Sequence, residues 1–403
     1  VAAAFLLLWG CEFPTHLPEE EPAAVADPTA GDGDRAAAHS GPRQPGEVVP
    51  GRFIVALDRG ITDVSARAHE VATAAGVTPE LIYETVLVGF SATIPDEALP
   101  EIEAHPQVRQ VSPVRVIQGL AGAGSGEESD IPHTAGPPPA SGVDPPTHWG
   151  HYRINQRALP LQVVWDPIES GSDTHIYIVD TGIYSGHEQF GSSAGSWVAD
   201  APERYDVYRN SADSLYGEEC WDENFDDWMT DHGTAMVSVA AGATSGAADN
   251  IGVAQSATIY TVRVLNCGGN VADPPEGVTD SVVGAIDWVA ENHNEPAVAN
   301  LSWRVAHHEP IPDPDLDEAI QDLVDAGVTV VVSAGNDNDD ACNYMPAHMD
   351  SVLTVGASTV DDQRWSGSNH GGCIDLLAPG HEIYSARAGN GTGTGSGTSE
   401  AAA

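Results

Sequence analysis

H-I-Y-I-V-D-T-G, residues 175–182, is the stretch whose reading decides the fold. Ile176 to Val179 form a short apolar run with no alternation, bounded by polar residues. Such a run marks a strand buried on both faces, as in a parallel sheet. The residues downstream agree with it. Helical patterns over His232 to about Thr244, Val278–His293 and Leu316–Asp325 alternate with strand patterns over Thr258–Leu265, Ala297–Ser302 and Val328–Ser333. Leu316, Ile320, Leu323 and Val324 fall on one helical face, and Gly327 supplies the stop. Ser351–Val355 and Cys373–Leu377 read as later strands. The alternation predicts an α/β fold, a parallel sheet with helices on both faces. Ligand chemistry then belongs at the carboxyl ends of the strands.

Upstream the pattern differs. Arg52–Leu57 reads as a strand, Asp63–Ala75 as a helix stopped by Gly76, and Leu81–Val86 and Val88–Ile94 as two strands. Asp96–His105 reads as a helix with Pro100 in its first turn, and Val108–Val116 as a closing strand. This is the ferredoxin-like order of a small α+β unit. Residues 12–48 and 119–147, rich in Pro, Gly and Ala, read as linkers on either side of it. The final Gly391–Ala403, G-T-G-T-G-S-G-T-S-E-A-A-A, reads by composition alone as a flexible tail.

The 403 residues suffice for one large domain and a smaller one. Sixty acidic residues oppose 15 basic ones, all arginine, for a net charge of −45. That balance excludes nucleic acid and anionic membrane surfaces as partners, and reads most plainly as a solvated acidic surface. Val1–Trp9 is apolar but far short of the ~20 residues that span a bilayer. It resembles the hydrophobic part of a signal peptide, with a start that is clipped since residue 1 is not Met. Leu8-Trp9-Gly10-Cys11 resembles a lipoprotein cleavage box, in which Cys11 would carry the lipid. The other cysteines are Cys220, Cys267, Cys342 and Cys373. An even number in an exported chain predicts two disulfides, with three pairings open, and no close pair has zinc-site spacing.

Three polar clusters fall at strand ends or helix starts: Asp180-Thr181-Gly182, Asp231-His232-Gly233-Thr234 and Ser333-Ala334-Gly335-Asn336. Each has an ordinary structural use in turns and caps. An aspartic-protease reading of Asp-Thr-Gly requires a second such motif, and the chain has none. With Ser399 the clusters supply a base, an acid to orient it, an amide donor and a nucleophile. Their order, Asp then His then Ser, is that of the subtilisins.

The chain resembles the subtilisin-like serine proteases, in their proteinase K and aqualysin branch. The motifs that carry the resemblance are Tyr177–Gly182, His232-Gly-Thr234, Val262-Arg-Val-Leu265, Ala334-Gly-Asn336 and Gly397-Thr-Ser399, with Trp149-Gly150 and Arg153–Arg157 at the start of the domain. It implies a signal peptide over residues 1–11, an inhibitory propeptide over 49–118, a maturation site in the 119–147 linker, and a peptidase domain over 148–403. It implies Asp180, His232 and Ser399 as the catalytic triad, with Asn336 as oxyanion donor. Ser302, Trp303, Arg304, Ala334 and Gly335 would line the substrate site. It selects Cys220–Cys267 and Cys342–Cys373 among the pairings. It also implies a structural calcium held by the Asp375 carboxylate and the carbonyls of Asp350 and Val352, with no cofactor for catalysis. The expected partners are polypeptide substrates and the chain's own propeptide, for a secreted or lipid-anchored monomer.

Departures from the family pattern stand beside the resemblance. Glu400 replaces the usual Met after the nucleophile, and Ala235 a usual His. Ser302-Trp-Arg-Val305 replaces Ser-Leu-Gly-Gly, which is expected to crowd the specificity pocket. The segment between Asp180 and His232, with Trp221, Asp226, Asp227 and Trp228, is long and acidic. The alternative reading is a catalytically impaired relative serving as a binding module or scaffold. In this family the nucleophile opens a long buried helix, so a chain ending four residues later is expected to be a fragment. Because His232 must be neutral to act as a base, activity is expected to rise through the imidazole range, about pH 6–7.

Overall fold

Why the apolar runs gather is a matter of area: Tyr177, Val179, Val262, Ala299, Leu301, Val330 and Val332 are all removed from water in one continuous core. The computed structural model describes residues 43–120, 148–162, 170–184, 187–190, 205–206, 232–242, 252–266, 275–306, 313–387 and 391–403. Cys11, Cys220, Cys267, Asp231, the acidic 221–228 segment and residues 121–147 of the expected linker lie outside them.

The N-terminal unit comprises β1 (Val48–Leu57), α1 (Val64–Ala74), β2 (Leu81–Tyr83), β3 (Gly89–Thr93), α2 (Leu99–Glu103) and β4 (Val108–Gly119). Asp63 caps α1 by accepting from Ala66 N, and Gly76, at φ +71°, ends it. The sheet order β4-β1-β3-β2, antiparallel between neighbours, is the ferredoxin-like arrangement.

The large unit continues with α3 (Trp149–Ile154), β5 (His175–Asp180), β6 (Tyr205–Asp206), α4 (His232–Ala241), β7 (Thr258–Arg263), β8 (Glu276–Val278), α5 (Thr279–Asn292), β9 (Ala297–Leu301), β10 (Trp303–Ala306) and α6 (Pro314–Asp325). Then follow β11 (Thr329–Ser333), β12 (Tyr344–Met345), β13 (Leu353–Ser358), β14 (Leu376–Pro379), β15 (Ile383–Arg387), β16 (Gly391–Gly395) and α7 (Thr398–Ala402). The central sheet runs β14-β13-β11-β9-β5-β7-β6, and every neighbouring pair is parallel. The buried run at 176–179 is therefore a central strand, as its pattern requires. The Gly/Thr stretch is no loose tail: Gly391–Gly395 pairs antiparallel with Ile383–Arg387.

The two units share a strand. β4 pairs with β1 over Val108–Arg115, and its last residues then enter the large unit. There Val116, Ile117 and Gln118 pair antiparallel with Val278, Gly277 and Glu276 of β8, while Gln118 and Gly119 pair with Arg304 and Trp303 of β10. The rest of the seam is polar. The Asp287 carboxylate accepts from the backbone N–H of Glu84 (3.2 Å), Thr85 (2.7 Å) and Val86 (2.8 Å). Arg59 and Arg109 reach Glu318 at 2.7 and 2.6 Å, and Arg52 reaches Asp280 at 2.7 Å. Removing the Asp287 carboxylate strands three N–H groups at once, each costing on the order of 1–3 kcal/mol when buried. Asp287→Ala is therefore expected to lower stability by roughly 2–4 kcal/mol. Urea unfolding of the full chain measures this, and an unchanged midpoint would show that solvent replaces the carboxylate without loss.

Candidate active site

Asp180 closes β5, and its side chain is fully buried. Its carboxylate accepts from Thr181 N at 2.7 Å, and its two oxygens lie 2.8 and 2.9 Å from His232 Nδ1. With a carboxylate on that side, Nδ1 carries the proton, so the neutral ring presents Nε2 as the acceptor. His232 opens α4, and two further contacts set its place. Gly233 N donates to Thr181 Oγ1 at 2.9 Å, and Tyr184 N donates to Thr234 Oγ1 at 2.8 Å. A Cβ on Gly233 would overlap the Gly182 carbonyl, so only glycine lets α4 start this close to β5.

Ser399 is the second residue of α7, which packs on α4. Its hydroxyl is buried, with no hydrogen-bond partner among the described residues. Thr398, before it, binds the third cluster. Thr398 N and Oγ1 both donate to Asn336 Oδ1, at 2.9 and 2.8 Å, and Gly335 N donates to Thr398 Oγ1 at 3.0 Å. The carbonyl end of the Asn336 amide is thus committed, which assigns Nδ2 as the end that donates elsewhere. Gly335 sits at φ +102°, a conformation few residues other than glycine adopt. The loop is stapled from behind by Asn369, itself fully buried. Its Nδ2 donates to Ala334 O at 2.8 Å, and its Oδ1 accepts from Asp337 N and Asp339 N at 2.9 and 3.0 Å.

The comparisons with known proteins point to one family. The family model for the subtilase family, Peptidase S8, matches residues 171–403. The chain belongs to the subtilase family. Over 377 residues it is 32% identical to the extracellular serine proteinase of Thermus sp. (strain Rt41A), covering 88% of this chain and 78% of that one. It is also 32% identical to the alkaline serine exoprotease A of Vibrio alginolyticus, over 80% of this chain but only 51% of that longer relative. A crystal structure of a cold-adapted subtilisin-like serine proteinase matches with a TM-score of 0.52 and 37% identity, covering 63% of this chain and 80% of that one. Membership makes this subtilase a serine-type peptidase, a hydrolase of peptide bonds, and its relatives need no cofactor for catalysis.

The remaining expected residues fall as follows. Ser302 and Arg304 lie beside the end of β4, whereas Trp303 and Val305 turn their side chains into the core. Trp303 thus shares the core with Ile117 of β4, and of the bulky replacements in 302–305 only Arg304 stands on the opposite face. Cys342 and Cys373 form a disulfide with Cα atoms 5.4 Å apart, and Cys220–Cys267 lies outside the described residues. Asp350 is exposed in the turn before β13, Val352 is buried, and Asp375 Oδ2 accepts from Thr354 N at 2.8 Å. The described residues contain no group of three or more His, Cys, Asp or Glu able to hold a metal ion. The calcium set contains one side chain and two carbonyls, and Asp375 is anchored next to the turn that carries them.

The burial of Glu400 and the role of Asn369 were not read from the sequence. Glu400 is buried directly behind Ser399, and its carboxyl is pushed above the usual range by burial, against the opposing pull of His232 and Arg387. Asn369 gave no signal, since a Ser-Asn pair in a loop is ordinary in any sequence. Its three hydrogen bonds hold the Asn336 loop, so Asn369→Ala is expected to cut kcat by about 10–100-fold with a smaller change in KM. Steady-state kinetics on a peptide substrate test this, and a wild-type kcat would show that the loop is held by other means.

Proposed function

We propose that this subtilase is an exported serine endopeptidase made as a zymogen, that Asp180, His232 and Ser399 are its catalytic triad, and that residues 49–118 are its propeptide. One observation carries the reading. The last residues of β4 occupy the slot between β8 and β10 as a third antiparallel strand, and the strand ends with Leu120 N donating to Ser302 O at 3.4 Å. An extended peptide held on both sides by backbone hydrogen bonds is how a protease presents a substrate of any sequence. Leu120 is then the residue before the scissile bond, and self-cleavage falls between Leu120 and Ala121, within the 119–147 linker.

The chemistry follows from the site. Ser399 Oγ attacks the carbonyl carbon while His232 Nε2 takes its proton. Asp180, already bonded to His232 Nδ1, holds the tautomer and stabilises the imidazolium as it forms. Asn336 Nδ2 and the Ser399 backbone N–H donate to the oxyanion, worth roughly 3–4 kcal/mol of barrier for one such donor. Collapse breaks the C–N bond, and His232 returns its proton to the leaving amine. Water then enters by the same proton path to release the acid. Export is supported by the Cys342–Cys373 disulfide, a bond favoured in oxidising compartments, and by the extracellular relative. A calcium ion on Asp375 and the carbonyls of Asp350 and Val352 would brace the turn before β13. N-terminal sequencing of the self-processed chain should begin at Ala121, and Ser399→Ala should retain the precursor. Processing of that variant in a protease-free system would rule out self-cleavage.

Release of the propeptide is expected to depend on pH. Asp313 is raised to about 7, by burial first and then by Asp315, with Leu316 N–H and Arg115 opposing and Asp317 adding a little. Asp315 is raised to about 6, by burial against a bond from Ser112, with Glu318 raising it and Arg109 lowering it. Ser112, Arg109 and Arg115 of β4 lower these values, whereas burial, the larger cause, raises them, so exposure of the two acids in the free enzyme returns them toward the ordinary carboxylate value near ~4. A pKa raised in the complex means that docking takes up protons. Affinity for the propeptide is therefore greatest below about pH 4, falls as pH rises to about 7, and is level above that. Inhibition constants of the isolated 43–120 segment against pH check this. Asp315→Asn should flatten the pH dependence, and an affinity that rises with pH would refute the linkage.

A further inference from the structure

Strand alternation sorts the side chains of β4 and β10 into two faces. Trp303, Val305 and Ile117 share the hydrophobic core, and a Cβ on Gly119 would touch Leu265 of that same core. With a period of two, the opposite face carries Ser302 and Arg304 from β10 together with Gln118 and Leu120 from β4. Leu120 retains only 2% of its exposure, yet it belongs to none of the core clusters. Its side chain lies on the same face as Arg304, across the β4–β10 pairing.

Arg304 does not extend into solvent from that face. Its guanidinium forms an ion pair with Asp337, the residue after Asn336, and lies over the Tyr344 ring at 5.3 Å from the centroid. Its side chain keeps 16% of its exposure. Tyr344 is fixed in turn, its hydroxyl donating to Asp339 Oδ2 at 3.3 Å, and Asp337 N is tied to Asn369. Arg304 thus runs from the strand that binds the substrate backbone to the loop that carries the oxyanion amide, over a fixed aromatic ring.

We propose that the Arg304–Asp337 ion pair is a clasp that sets the specificity of this peptidase for the residue preceding the scissile bond. It selects an aliphatic side chain of leucine size and rejects aromatic and acidic ones. This rests on the reading of Ser399 as nucleophile and Leu120 as the residue presented to it. The physical reason is that the pair is partly buried and mutually neutralised. A longer side chain must push it apart, leaving the largely buried Arg304 guanidinium uncompensated, and that is costly. An acidic side chain must compete with Asp337 for a guanidinium already engaged, and adds a second negative charge beside it. With Asp337 neutralised, the same guanidinium would instead welcome an acid.

Self-cleavage of the full chain reads this directly, because Leu120 is the test side chain. In the wild-type background, Leu120→Phe and Leu120→Glu should each slow processing at least tenfold. Adding Arg304→Gly to Leu120→Phe should recover most of that loss, and adding Asp337→Asn to Leu120→Glu should do likewise. The charge swap Arg304→Asp with Asp337→Arg should restore the preference for Leu over Phe. A structural role alone would slow all substrates alike and leave these ratios unmoved. Should Arg304→Gly not fold, the Asp337→Asn pair carries the test by itself. Equal processing of Leu120, Leu120→Phe and Leu120→Glu chains would overturn the clasp while leaving the triad in place. If no chain is processed and a serine-directed phosphonate fails to label Ser399, the reading beneath it falls and the clasp with it.

Discussion

A carboxylate buried without water is among the most expensive groups a protein can hold, unless its charge is fully paired and hydrogen-bonded. Asp180 is such a group, and much of the molecule is arranged around it. It sits at the carboxyl end of β5, between β7 and β9, where no solvent reaches. Thr181 N meets one oxygen and His232 Nδ1 spans both. For the histidine to arrive, α4 must begin against the end of β5. That requires glycine at 233 and the Thr181 hydroxyl to receive its N–H. The interaction that orients the base is therefore also the one that docks a helix onto the sheet.

The second half of the site is assembled by bonds between segments far apart in the chain. Thr398 lies 62 residues from Asn336 and fixes its amide with two hydrogen bonds, and Asn369 fixes the same loop from the other side. Ser399 and Asn336, the proposed nucleophile and oxyanion donor, are consequently coupled through Thr398. A rigid donor aimed in advance at developing charge needs no reorganisation during reaction, which is what the proposed role of Asn336 requires.

Charge is used economically at the seam between the units. The chain carries a net −45, and three arginines stand where acids of the large unit would otherwise face only one another. Arg52, Arg59 and Arg109 of the N-terminal unit meet Asp280, Glu318 and Asp322. Arginine suits these places because its planar fork holds two acceptors and stays charged when desolvated. The N-terminal unit thus presents these arginines to the acidic face of the large unit. Asp313 and Asp315, at the same seam, are raised above the ordinary carboxylate range by burial.

The sequence by itself determined the parallel α/β sheet, the ferredoxin-like unit and the residues at the carboxyl ends of the strands. Those features are local: a buried strand writes an unbroken apolar run, a helix writes its period and its cap, and Gly at 233 and 335 marks close approach. Cys342–Cys373 was legible only as one of three pairings until the family likeness selected it. What tertiary structure alone decided is everything that depends on which face of a strand meets which neighbour. Composition made Gly391–Gly395 a loose tail, yet pairing with β15 makes it a strand, because backbone bonding carries no signature in glycine and threonine. Sequence placed Trp303 and Arg304 together in the substrate site. The period of two separates them, sending the tryptophan to the core and the arginine to Asp337. Asn369 left no trace in the sequence, because its role lies in three bonds to residues at least thirty positions away. The same holds for β4, whose strand pattern stops at Val116 and whose Gly119 reads as the start of a linker; Ile117–Gly119 extend the strand only because β8 and β10 supply partners on both sides.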